Sequence, residues 1–381
     1  MPWRVRRGSR RHGVGMAWGR IRPGRPHGRR LFCVPGGGTS AECRISEGTI
    51  MIGPGSDRPT VGGMRGARAT VLRSGPGVGS GEFQPGRGFC RGHHGELLQG
   101  VAWSPRRSEV VPALVTIPLP RHGASAVFRP HRTHRGVHAD GTRGKSVRAA
   151  EIVLRTCDDL GLPRPPGGTL QLRSDLPRGC GMGSSTADVV ATIRAVCDCC
   201  GLPLDDLHVS AIAVQAETAS DPLAFDTTPV LFAQRHAEVL RRWDRPLPPV
   251  RLVGCRLPGQ PVDTLGVSPP AYTSDEHAEF ARLTSAMETA VRTGNTRILG
   301  GVATDSALIN QRYLPKPDLP RVLEICERTG GVGVQVAHSG TVCSVMYDPA
   351  DAAVDQRILR ARRALDAAGF DSTAHFLGED P

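Results

Sequence analysis

Gly179-Cys180-Gly181-Met182-Gly183-Ser184-Ser185-Thr186 is the stretch on which the reading of this chain turns. Three glycines alternate over five residues, three hydroxyl side chains follow, and an apolar helical run spans residues 187–200. Glycine has no Cβ to hold a ligand away from the backbone. At a helix start, free N–H groups and the positive end of the macrodipole favour an anion. Ser184, Ser185 and Thr186 add hydroxyls suited to phosphate oxygens or Mg²⁺, although the same residue types also suit a plain helix N-cap. Gly179, Gly181, Gly183, Ser184, Ser185 and Thr186 are therefore expected to cradle a phosphate, and Gly181 and Gly183 have no packing role evident in the sequence. Other anion-binding loops fail on spacing. A Walker A loop needs a lysine before the hydroxyl, a dinucleotide fingerprint needs glycine where Ser184 or Thr186 stands, and no Gly-x-Ser-x-Gly elbow is present.

Working outward, residues 110–120 are apolar, β-branched and proline-bounded, which predicts a strand, and residues 124–128 predict another. Residues 129–145 read as a polar loop. A helix is expected over 147–160, stopping at Gly161, and a strand over 169–172. The helix after the glycine loop ends at Gly201 and Pro203. The proline-rich stretch 245–249 is the expected boundary between domains at 81–245 and 246–381. In the second domain a strand at 250–255 precedes helices at 276–293, 296–311 and 319–328. Strands at 333–337 and 341–347 flank a glycine turn, followed by a helix at 351–368 and a strand at 370–377. This order predicts an α+β sandwich of ferredoxin-like type.

The chain has 381 residues and is 39% hydrophobic, enough for one large domain or two ordinary ones. It lacks an apolar run long enough for a membrane span, and its arginine-rich start lacks the apolar stretch of a signal peptide, so a cytoplasmic protein with no membrane partner is expected. The 11 cysteines form no framework and read as free thiols of a reducing compartment. The net charge of +12 lies entirely in residues 1–80, which hold 15 arginines, no lysine and only Glu42, Glu47 and Asp57 as acids. That segment reads as a disordered basic extension, or as sequence ahead of a later translation start at Met51 or Met64. The rest balances 33 basic against 33 acidic residues, with aromatics only 4% of the chain, so no nucleic-acid partner is expected.

Residues 177–186 resemble the signature loop of the GHMP kinases (galactokinase, homoserine kinase, mevalonate kinase, phosphomevalonate kinase), a proline followed by Gly-Leu-Gly-Ser-Ser, with Met182 in place of leucine. Gly95-Glu96-Leu97-Leu98-Gln99-Gly100, after Gly92-His93-His94, resembles the first motif of the L-threonine kinases of cobalamin synthesis, Gly-Glu-Leu-(Ile/Val)-Gln-Gly. Ala337-His338-Ser339-Gly340-Thr341-Val342 resembles their C-terminal motif, and Val262-Asp263-Thr264 also recurs among them. The resemblance runs in order over residues 84–381 and departs from the pattern at Cys90-Arg91-Gly92-His93-His94. It implies a two-domain α+β fold with the site in the cleft between domains, ATP and Mg²⁺ as cofactors, and a small-molecule hydroxyl as acceptor. L-threonine is the implied substrate, converted with ATP to O-phospho-L-threonine and ADP.

Phosphoryl transfer calls for positioning and charge neutralisation more than covalent chemistry. By the resemblance, Ser185 and Glu217 hold Mg²⁺; Glu217 lies 32 residues beyond Ser185 on the helical run 209–219 and would otherwise read as a solvated helix carboxylate. Ala219-Ser220-Asp221-Pro222-Leu223-Ala224-Phe225 resembles the Pro-Thr-Asp-Ser-x-x-Phe stretch of the threonine kinases. Asp221 is the candidate base and Asp226 the reserve, against a plain turn carboxylate before Pro222. Some family members, those similar to homoserine kinase, manage without a strong base. Glu96 is the second catalytic candidate, expected with His93 and His94 on a loop after a short strand. Ser339, Gly340 and Thr341 either close over phosphates or substrate or form a plain hairpin turn. Cys197, Cys199 and Cys200 lack a second ligand pair, and His131, His134, His138 and Asp140 form a histidine-rich loop, so no structural metal is expected at either. Three further readings are a GHMP kinase for another amino or sugar alcohol, a catalytically inactive member that binds a metabolite, and a nucleic-acid binder acting through its basic tail.

Overall fold

Two long strands, β1 (Gly86–Ser104) and β2 (Glu109–His131), run antiparallel from Gly86↔Phe128 to Ser104↔Glu109. In the computed structural model the described residues are 83–141, 143–226, 228–259 and 270–377. The basic extension 1–80 and Val262-Asp263-Thr264 lie outside them. The two strands expected at 110–120 and 124–128 are one element, β2, although its residues 119–122 have no partner in β1 and the register shifts there. His93, His94 and Glu96 likewise sit within β1 and not on a loop beyond it. What the sequence hides is irregularity: the β1–β2 register shifts between Arg91 and His93, His93 and Glu96, and Glu96 and Leu98. Such bulges re-aim side chains while the strand continues.

The sheet extends through β3 (Gly136–Ala139), parallel to β4 (Gly167–Ser174), which pairs with β2. β3 lies in the stretch read as a loop; it is only four residues long and flanked by turn residues. α1 (Gly144–Asp159), α2 (Ser184–Cys200) and α3 (Asp206–Glu217) form the layer behind, with α2 against β1 and β2. The short hairpin β5 (Val230–Ala233) and β6 (Glu238–Arg242) was not foreseen either and joins the sheet by pairing to β2. Phe128, Leu170, Val190, Ile193 and Ile212 fill the core between these layers.

The remaining elements are β7 (Val250–Arg256), α4 (Ser274–Thr293), α5 (Thr296–Asn310), α6 (Leu319–Thr329), β8 (Gly333–Val336), β9 (Val342–Tyr347), α7 (Val354–Ala367) and β10 (Asp371–Leu377). Their strand order, β10-β7-β9-β8, all antiparallel, is that of a ferredoxin-like unit, as the element order predicted. A second apolar cluster, including Val253, Val322, Val334, Val345, Ile358 and Leu365, packs this sheet against α6 and α7. α4 and α5 instead lie against β1 and complete the first core through Phe280, Leu283, Met287 and Leu299. The sheets join where Glu96 of β1 pairs with Val336 of β8. Beside that joint the backbone of Gln99 is held by α5: its N–H donates to Ser306 Oγ at 2.9 Å, and its carbonyl accepts from Asn310 Nδ2 at 2.8 Å.

α5 approaches β8 closely because glycine faces glycine. A Cβ on Gly333 would lie 2.5 Å from Gly300 Cα, and one on Gly300 would lie 2.5 Å from the Val332 carbonyl carbon. The next residue, Gly301, has open space around it. Gly300→Val should therefore destabilise the protein by about 1–3 kcal/mol through overpacking. Gly301→Ala should stabilise it by about 0.5–1 kcal/mol through helix propensity. Denaturant titration of the two variants checks this; equal effects would show that α5 does not need the close approach.

Candidate functional site

The glycine loop adopts a repeating backbone pattern. Gly179, Gly181 and Gly183 have φ of 72°, 82° and 69°, while Cys180 and Met182 between them do not enter the positive-φ region. Alternation of this kind turns successive N–H groups toward one side and makes an anion-binding concavity. α2 starts at Ser184 with Gly183 at the cap position and no side-chain cap, so the hydroxyls are not spent on capping. The glycines also have the packing role that the sequence did not reveal. A Cβ on Gly183 would stand 2.5 Å from His93 Cδ2, and one on Gly181 would stand 2.5 Å from Ala337 Cβ. A valine at Gly183 thus strains the fold as well as blocking the loop.

The Ala337–Thr341 turn braces the loop from behind. The amides of Thr341 and Val342 donate to the Cys180 carbonyl at 3.0 and 3.1 Å. Lys316 Nζ in turn donates to the carbonyl of Gly340.

Glu217 ends α3, whose start is capped by Asp205 accepting from the His208 amide. The following residue, Thr218, has φ of 75°, unusual for a β-branched residue, and the chain doubles back there toward α2. Glu217 is buried, not the solvated carboxylate of an ordinary helix, with only 3% of its surface exposed. Its two oxygens accept from Ser185 Oγ at 2.9 Å and Thr186 Oγ1 at 2.8 Å. Burial pushes its carboxyl up from the usual range, opposed by the Thr186 hydrogen bond and the Lys145 charge. Lys145 Nζ lies 3.2 Å from Ser185 Oγ and 3.6 Å from Glu217 Oε2. The set is made of hard oxygens, one carboxylate and hydroxyls at the edge of an open pocket, and it fits Mg²⁺, which is commonly held by one or two carboxylates plus substrate phosphates.

That pocket, about 350 Å³, is lined by Arg143, Lys145, Arg178, Gly179, Ser184, Ser185 and Asp188 among others. Arg143 pairs with Asp188, whose other oxygen, Oδ1, is buried without a hydrogen-bond partner. Arg143, Lys145 and Arg178 escaped the sequence reading. One compositional signal was available: the chain contains only two lysines, Lys145 and Lys316, among 48 basic residues.

On the other side of the loop stands a second set of polar groups. His93 is buried, its Nδ1 accepting from the Gly95 amide at 2.8 Å and its Nε2 3.1 Å from Asp221 Oδ2. A proton on Nε2 faces the carboxylate, and Nδ1 also lies 3.1 Å from the Gly95 carbonyl. Burial opposes charge on His93, but the adjacent Asp221 carboxylate outweighs it and raises the imidazole above its usual range. The Asp221 amide lies 3.5 Å from Thr186 Oγ1, so the residue is at the first turn of α2. Asp226 differs: it is half-exposed and ion-paired with Arg91 at 2.9 Å. Glu96 is buried, and its Oε2 accepts from the His338 amide at 3.0 Å and lies 3.1 Å from His338 Nδ1. His338 Nε2 is buried with no hydrogen-bond partner. His94 Nδ1 meets Gln335 Oε1 at 3.0 Å and is held below its usual pKa by burial. Among the described residues no three His, Cys, Asp or Glu side chains gather as a metal-ligand group, at the cysteines of α2 or at His131, His134 and His138. No helix among them is long and apolar enough to cross a membrane.

Comparison with known proteins places this geometry. The GHMP kinases N-terminal domain matches residues 146–234, which include the glycine loop, Glu217 and Asp221. Over 193 residues the chain is 31% identical to an L-threonine kinase of Salmonella typhimurium, covering 47% of this chain and 59% of that protein. It is 30% identical to an L-threonine kinase of Citrobacter freundii, covering 47% of this chain and 62% of that protein. The matches thus span about three fifths of each relative's length. A homoserine kinase structure from Cytophaga hutchinsonii superposes with a TM-score of 0.60 at 15% identity, covering 79% of this chain and 97% of that one. Residues 146–234 thus match a GHMP kinases N-terminal domain, and the fold is similar to that of a homoserine kinase.

Proposed function

We propose that the protein is an ATP-dependent kinase that phosphorylates the hydroxyl of a small molecule, L-threonine or a related hydroxy amino acid. The observation that carries the reading is the buried Glu217 carboxylate hydrogen-bonded to Ser185 and Thr186, which follow a glycine loop whose alternating left-handed residues suit an anion. The similarity to two L-threonine kinases supports the acceptor class. In this reading residues 81–245 supply the phosphate loop and residues 246–381 brace it, with the acceptor between them.

Gly179, Gly181, Gly183 and Ser184 receive the phosphates of ATP on backbone amides and a hydroxyl. Arg143, Lys145 and Arg178 offset their negative charge from the pocket wall. Ser185 and Glu217 would hold Mg²⁺, which, when bound, neutralises charge on the phosphate oxygens. Asp221 takes the proton of the acceptor hydroxyl as that oxygen bonds to the γ-phosphorus and ADP leaves. His93 donates its Nε2 proton to Asp221 Oδ2, which orients the carboxylate and leaves Oδ1 for the acceptor. The Arg91 ion pair makes Asp226 unsuited to that task. Glu96, held by His338, offers a carboxylate to the acceptor's ammonium.

ADP release measured against a panel of hydroxy amino acids and sugar alcohols tests the reading, with L-threonine or a near relative expected to turn over best. Turnover confined to sugar alcohols would overturn the acceptor class. ATP binding without any turnover would point to an inactive metabolite-binding member. In the active enzyme Glu217→Gln should lower kcat by about 10²-fold or more while shifting the melting temperature little. Near-normal kcat at saturating Mg²⁺ would remove Glu217 from the site. Asp221→Asn should lower kcat by about 10²–10⁴-fold with ATP affinity unchanged by calorimetry. A small effect would mean that the acceptor hydroxyl needs no base here.

A further inference from the structure

Lysine is the rare cation in this chain, 2 residues against 46 arginines, yet both lysines lie beside the glycine loop or its brace. The difference is physical. An ammonium is a compact point charge on a flexible stem, whereas a guanidinium is a planar fork that pairs two-pronged with a carboxylate. Lys145 is placed to use that difference. Its side chain is 49% exposed at the pocket wall, while the Glu217 side chain it faces is 2% exposed. The 3.6 Å separation from Glu217 Oε2 is looser than a charge-assisted hydrogen bond, and the firmer contact is with Ser185 Oγ at 3.2 Å. Lys145 thus sits against the same two groups, Ser185 and Glu217, that the proposed function assigns to the metal.

We infer that Lys145 is a resident cation that neutralises Glu217 whenever no metal is bound and is displaced onto the nucleotide phosphates when a divalent ion arrives. The inference rests on the proposed metal and phosphate sites. A buried carboxylate without a counter-charge is costly. Two cations on one carboxylate repel each other, and the divalent ion binds at shorter range with twice the charge. Lys145 has its exposed half toward the pocket and a phosphate acceptor on that side when nucleotide is bound. Metal binding and nucleotide binding are thereby coupled through one side chain: the metal frees the ammonium, and the phosphates receive it.

The consequence is a substitution with opposite signs for the two ligands. Lys145→Met should bind Mn²⁺ alone about three- to tenfold more tightly than the unaltered protein, because a competing charge is gone. The same variant should bind a non-hydrolysable ATP analogue with Mg²⁺ about tenfold more weakly, because a charge-assisted phosphate contact is lost. Lys145→Arg restores the charge on a fork that pairs two-pronged with the carboxylate, and should bind Mn²⁺ no more tightly than the unaltered protein. Titration of the full chain followed by Mn²⁺ paramagnetic resonance and by calorimetry reads both. Opposite-signed shifts support the inference, since a lysine that merely held Glu217 in place would weaken both ligands when removed. Unchanged or weaker Mn²⁺ binding by Lys145→Met, or no Mn²⁺ binding by either protein, overturns it. Failure of the unaltered protein to bind the ATP analogue would instead overturn the phosphate-loop reading beneath it.

Discussion

The carbonyl of Cys180, accepting from the amides of Thr341 and Val342, is the contact on which the site's shape depends. A loop that alternates in and out of the left-handed region has no ladder of its own and keeps its form only if something holds it. Here the holder is the start of β9 and the residue before it, about 160 residues further along the chain. The same turn carries His338 to Glu96, and Glu96 is also where β1 meets β8. Glycine loop, Glu96 and sheet junction are therefore one mechanical unit. Shifting the turn would move the loop and Glu96 together.

A second constraint is charge taken out of water. Glu217, Glu96, His93 and His338 are all almost fully buried, and each finds a partner far away in the sequence. Buried ionisable groups of this kind add little net stability, since desolvation offsets much of their attraction. Their arrangement is better understood as positioning: two hydroxyls fix both oxygens of Glu217, and one imidazole fixes one oxygen of Asp221. In each case a carboxylate is oriented by neutral or shareable donors and is not tied up by arginine. Asp226, paired with Arg91, illustrates the alternative.

Much of this was legible in the sequence, for a physical reason in each case. The ferredoxin-like unit could be read because its helices and strands carry clean periodicity and its turns carry glycine, as at Gly330 and Gly369, both left-handed. Three alternating glycines announced the loop. The extent of β1 was not legible, because its middle is bulged and reads as His-His-Gly-Glu, without the alternation of a regular strand. β3, β5 and β6 are too short to show a pattern. The packing role of Gly183 depends on His93, 90 residues earlier, and no local pattern records such a pairing. Lys145 and His338 belong to the same class. Their significance lies in what faces them.

The scarcity of lysine has one more implication. Reagents that acylate primary amines leave arginine alone, so within this chain their targets reduce to the α-amine, Lys145 and Lys316. Lys316 is largely enclosed and its ammonium is engaged by the Gly340 carbonyl, which leaves Lys145 as the more reachable side chain. Among side chains, a generic amine label is thus directed chiefly to the rim of the pocket beside the glycine loop. It would address that pocket without any engineered tag.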